Sequence, residues 1–99
     1  MRRGTTPTIK IRLKGCNIDD LTSIYITFRQ GNYEFEKTKD QLNIVDGKIS
    51  IFLTQEETLK LDPMKNVLVQ LRAKTSDDIA IASNIKSILV EDILKEGVI

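Results

Sequence analysis

Apolar and polar residues alternate along most of this chain. In "TIKIRLK", Ile9, Ile11 and Leu13 fall on one face and Lys10, Arg12 and Lys14 on the other, the period-two pattern of a half-buried strand. "SIYITFRQ" turns Ile24, Ile26 and Phe28 inward and Tyr25, Thr27 and Arg29 outward. Between the two, "GCNIDDLT" reads as a loop whose Asn17, Asp19 and Asp20 favour turns. Gly31-Asn32 suits a two-residue hairpin turn, because such turns need positive φ. "YEFEKTK" is then the returning strand, and "QLNIV" continues it more weakly up to a second turn signal, Asp46-Gly47. "KISIFL" and "NVLVQLRAK" bury Ile49, Ile51 and Leu53, and Val67, Val69, Leu71 and Ala73; Leu68, on the opposite face, calls for its own cover. After the turn cluster "TSDD", "IAIASNIKSILV" gives one bent strand or two short ones broken at Ser83-Asn84.

Six to seven short strands in about a hundred residues predict an all-β fold, an antiparallel immunoglobulin-like β-sandwich, with a small barrel as the alternative. The chain is long enough for one domain, 1–99, and too short for two of ordinary size. Within it, residues 1–7 form a polar basic arm, and residues 91–99 form a tail that makes one helical turn or a trailing strand. So short a tail is stable only when docked on the core or on a partner.

One stretch breaks the β pattern. In "LTQEETLKLDP", Thr54 stands three residues before Glu57, the spacing of a capping box, and Asp62-Pro63 stops the turn that it opens. A short helical crossover near residues 54–60 follows. The adjacent Glu56 and Glu57 also raise the idea of an acid-base pair, but neighbours on a helix point different ways, whereas paired catalysis aims both carboxylates across one substrate.

Composition narrows the chemistry. Fourteen isoleucines, with valine and threonine besides, reinforce the strand reading. With 40% hydrophobic and 29% charged residues the chain is neither disordered by composition nor membrane-like. There is no histidine, which removes the commonest general base and metal ligand and with them Ser-His or Cys-His nucleophiles and zinc chemistry. The single cysteine, Cys16, excludes an internal disulfide, fits an intracellular folding environment, and reads as a small, partly buried thiol. Arg2-Arg3 precedes no apolar run of the kind an export signal requires. The doublets Asp19-Asp20, Asp77-Asp78 and Glu91-Asp92 lack the spacing of a calcium loop and read as turn formers. No catalytic, cofactor or metal residue is assigned, and no cofactor, membrane or small-molecule partner is expected.

Charge is distributed unevenly. Residues 1–14 hold five basic side chains and no acid, whereas the rest hold ten basic and fourteen acidic. Arg2, Arg3, Lys10, Arg12 and Lys14 are candidate contacts for a partner, and so are the apolar Leu94, Val98 and Ile99 of the tail. Opposed charges on one chain suit head-to-tail contact between copies. A solvated edge strand protected by lysines accounts for the stripe equally well. Nucleic acid is the weaker partner, because no aromatic residues interleave with the basic ones for stacking.

The order "MRRGTTPTIKI", "SIYITFRQ", "ISIFLTQEETLKL", "VLVQLRAK", "AIASNI", "ILKEGVI" resembles a group of small proteins encoded among the structural and tail genes of phages and prophages of Gram-positive bacteria. More loosely, "DLTSIYITFR" and "DGKISIFLTQEET" look like the amino-terminal immunoglobulin-like domain of phage baseplate upper proteins. The resemblance implies a non-enzymatic virion or assembly component, located in the virion and assembled in the host cytoplasm. Its implied partners are further copies of itself or other phage structural proteins. It carries no site residue onto this chain, and an accessory nucleic-acid-binding or regulatory protein of a mobile element is the alternative.

Overall fold

The computed structural model describes residues 1–99, in which the alternating segments become eight strands: β1 (Thr8–Arg12), β2 (Leu21–Gln30), β3 (Tyr33–Thr38), β4 (Leu42–Val45), β5 (Lys48–Phe52), β6 (Asn66–Thr75), β7 (Ala80–Ala82) and β8 (Lys86–Leu89). One helix, α1 (Gln55–Leu59), lies between β5 and β6. The strands form two antiparallel sheets, ordered β1-β5-β4 and β3-β2-β6, with β7 and β8 both paired to the far side of β6. The inward positions read from the sequence are the buried ones. Ile24, Ile26 and Phe28 of β2, Ile49 and Ile51 of β5, Leu53, and Val67, Val69, Leu71 and Ala73 of β6 join one cluster with Ile18, Leu21, Leu61 and Val90. Both sheets therefore share a single core, and the Phe35 ring stacks on Phe28 at 4.8 Å to extend it.

Turn chemistry fixes the registers. Gly31, at φ +58, lets Gln30 face Tyr33 across a two-residue turn. Asp46 and Gly47 both take positive φ between the paired Val45 and Lys48, as a type I′ turn demands. The last strand breaks where Ser83 inserts. Its N–H donates to the Leu71 carbonyl (2.8 Å), while its hydroxyl, in place of a strand carbonyl, accepts from the Leu71 N–H (3.0 Å). The ladder then resumes at β8. This break yields the two short strands, and the separation of β3 from β4 supplies the eighth.

One expectation is corrected. "YEFEKTK" and "QLNIV" are not one continuing strand, because β3 and β4 belong to different sheets and a 3-10 turn, Lys39–Gln41, carries the chain between them. The cause is local: Gln41 Oε1 accepts from the Thr38 N–H (2.9 Å), so "TKDQ" starts a turn by the same device that starts α1. Leu68, on the outer face of β6, is half-buried.

Candidate functional site

The α1 joint forms as its sequence dictates. Thr54 accepts from the Glu57 N–H (3.2 Å), and Glu57 Oε1 accepts from the Thr54 N–H (2.8 Å). Glu56 faces water. Glu57 has a further partner in Lys37, buried on β3, whose ammonium lies 2.7 Å from Oε2. Burial alone would raise the Glu57 pKa, but the hydrogen bonds from Lys37 and Thr54 and the lysine's charge outweigh it and hold the carboxyl below the usual range. Nearby, burial and then the Glu57 charge push the Tyr33 hydroxyl up, and it donates to the Glu57 carbonyl (3.1 Å). A carboxylate locked to an ammonium and a cap in this way is a fastening rather than half of an acid-base pair.

The same end of the molecule collects the arm and the tail. Arg3 is 7% exposed; its guanidinium donates to the carbonyls of Leu59 (2.6 Å) and Leu61 (3.0 Å) just where α1 runs out of intrahelical partners. It also meets Glu96 (2.7 Å) and Asp92 (3.5 Å) of the tail. Arg2 pairs with Glu91 (3.0 Å), and its backbone bridges Glu91 in parallel. Thr58, fully buried, donates to the Thr5 carbonyl (2.8 Å), and the Gln30 amide clamps Asp62 and Lys65. Of the proposed contacts, Arg2 and Arg3 are thus engaged within the chain. The tail is held in cis by Ile93, which lies against Gly4, and by the pairing of Glu96 with Arg3, while Leu94, Val98 and Ile99 are exposed.

Lys10, Arg12 and Lys14 lie elsewhere. β1 is an edge strand, bonded to β5 on one side only, and the broken edge formed by β7 and β8 closes the other sheet on the same flank. Between these edges runs a groove of about 930 Å³. Ile9, Ile11 and Leu13 line one wall and Ile81 and Ile88 the other, with Val69 and Leu71 between them. Lys86 joins the three cations around it, and no acidic residue lines it. Cys16, half-buried, sits at one end. The eight sequence candidates therefore separate into three groups: two arginines in the closed end, three cations on the groove, and three apolar side chains on the tail.

The acidic doublets have separate structural places. Asp19-Asp20 forms the 3-10 turn capped by Asn17, Asp78 takes φ +66 in a turn and pairs with Lys74 (2.8 Å), and Glu91-Asp92 meets Arg2 and Arg3. On the outer face of the larger sheet, Glu36 accepts from Thr27 (3.0 Å) and lies 3.4 Å from Arg72, so these two charges are met within that surface.

Sequence reasoning missed Lys37 and Lys86. The first carried a signal, because the inward positions Tyr33 and Phe35 are followed two residues later by Lys37, and a cation at an inward position implies a buried partner. Lys86 carried none, since only the break at Ser83 sets the register of β8. No protein-family model matches this chain, and no curated protein does.

Proposed function

We propose that this protein is a non-enzymatic assembly component, of the phage tail or baseplate kind, which acts by docking an extended protein segment in the groove between β1 and the β7–β8 edge. The observation that carries this reading is the groove's composition: aliphatic walls, a cationic rim without acids, and a strand edge on each side. Edges of that sort offer unpaired N–H and C=O groups to an added strand, which gains main-chain hydrogen bonds along its length.

The immunoglobulin-like form of the sandwich belongs to the same proposal. Its support is the strand order, since β1-β5-β4 facing β3-β2-β6-β7 follows the B-E-D and C′-C-F-G arrangement, with α1 at the E-to-F crossover and no strand in the first position. The resemblance of the segment order to small phage and prophage structural proteins supports the setting, and such folds serve many roles.

Light scattering with electron microscopy of the purified protein, and co-sedimentation with phage tail and baseplate proteins, test the proposal. Defined oligomers or a stable complex are expected. A monodisperse monomer that binds no particle component would sink it.

A second reading draws on the same cations. Lys10, Arg12, Lys14 and Lys86 also suit a phosphate backbone. The groove walls are aliphatic, however, and offer bases no stacking platform. A gel mobility shift with DNA or RNA, abolished when the first three cations are made neutral, would favour this reading over docking.

A further inference from the structure

We infer that the occupant of the groove is residues 94–99 of a second copy of this chain, so that copies join head to tail. The inference rests on the assembly reading above and specifies its partner.

Two incomplete features of the molecule match each other. The tail is packed as far as Ile93 and tied beyond it by the ion pair of Glu96 with Arg3, yet Leu94 and Ile99 are fully exposed and Val98 more than half so. The groove has the reverse defect, with Ile9, Ile11, Leu13, Ile81 and Ile88 only partly covered although they pack against the core. Length agrees as well: six extended residues span roughly 20 Å, enough to run the full length of the five-residue β1, about 17 Å.

Charge selects between possible partners. The groove rim carries Lys10, Arg12, Lys14 and Lys86; of the tail acids, Glu91 and Asp92 stay paired with Arg2 and Arg3, and Glu96, beside Lys95, is the one offered to that rim. Pairing of two β1 edges would set one row of cations against an identical row, which opposes association. The tail of the same copy is held at the α1 end, where Arg3 grips Asp92 and Glu96 and Ile93 crosses Gly4. When Leu94–Ile99 docks on a neighbour, Arg3 keeps Asp92 and the two carbonyls, and Glu96 exchanges it for the groove cations. Because the donor and acceptor surfaces differ, the contact is heterologous and either closes into a ring or extends into a filament.

Sedimentation velocity over rising concentration tests this with the wild type and two variants altered only at exposed positions. The tail variant is Leu94→Ser, Val98→Ser, Ile99→Ser, and the groove variant is Lys10→Glu, Arg12→Glu. The wild type is expected to associate, and each variant alone to stay monomeric with an unchanged circular dichroism spectrum. Their mixture is expected to form a 1:1 heterodimer that grows no further, since only one intact tail and one intact groove can meet. A labelled Glu91–Ile99 peptide should bind the tail variant and not the groove variant.

Association that survives in the tail variant overturns the inference and points to edge-to-edge pairing. A mixture that fails to pair while the wild type associates also overturns it, as does a groove that shifts nucleic acid but ignores the peptide. A wild type that stays monomeric yet binds tail or baseplate proteins sinks the second-copy inference alone, whereas one that binds neither sinks the assembly reading with it.

Discussion

Arg3 and Lys10 are seven residues apart in one basic arm, yet the fold treats them in opposite ways. Arg3 enters the α1 end and finds two backbone carbonyls and two carboxylates waiting. Lys10, with Arg12 and Lys14, is left on the rim of an apolar groove with no acid beside it. The planar guanidinium suits the first position, since its fixed fork of donors can serve several carbonyls at once. A run of like charge in sequence is thus no unit in space: part of it closes the molecule, and part stays available to something else.

The contrast can be broken most strongly at Arg3. Arg3→Ala leaves the Leu59 and Leu61 carbonyls and the tail carboxylates without their donor, and is expected to cost about 3 kcal/mol in urea unfolding. Gly4→Ala comes next, at about 2 kcal/mol, because Gly4 sits at φ +72 and a Cβ there would lie 2.7 Å from Ile93 Cδ1. Increased proteolysis beyond residue 92 should accompany the loss if the tail is displaced.

Thr54→Ala should cost about 1 kcal/mol, the usual worth of an N-cap. The acid limb of stability belongs to the same closed end. Glu57 has a lowered folded pKa, so its contribution is complete above the ordinary glutamate range and is lost as pH falls through that lowered value. Glu57→Gln should flatten the pH dependence of the urea midpoint in that acid window; an unchanged profile would show that the Lys37 contact contributes nothing.

The smallest effect is expected on the open side. Neutral replacement of Lys10 and Arg12 should leave the unfolding midpoint where it is, since both are exposed and bonded to no acid. A marked loss of stability there would erase the distinction between the two regions.

A second pair of regions shows how much of this was legible. Thr54 to Glu57 and Thr38 to Gln41 are the same capping device, and each carries the chain from one sheet to the other. The first stood out because α1 and Asp62-Pro63 interrupt an otherwise alternating pattern. The second was hidden, because Lys39–Gln41 is a single 3-10 turn between segments that both alternate, and period two gives no sign of a change of sheet.

The sequence alone determined the strand faces, the two tight turns and the capped joint, all of which depend on neighbours a few residues apart. Side-chain period, positive φ at Gly31, Asp46 and Gly47, and the Thr54–Glu57 spacing act within one element. Only the tertiary structure decided that Glu57 is locked by Lys37, that Arg3 caps α1 while gripping the tail, and that β1 and the β7–β8 edge leave a cationic groove between them. Those outcomes join residues 20 to 93 positions apart. The physical reason is that burial and the order of strands across two sheets, rather than local propensity, choose which charges meet a partner and which are left facing a gap.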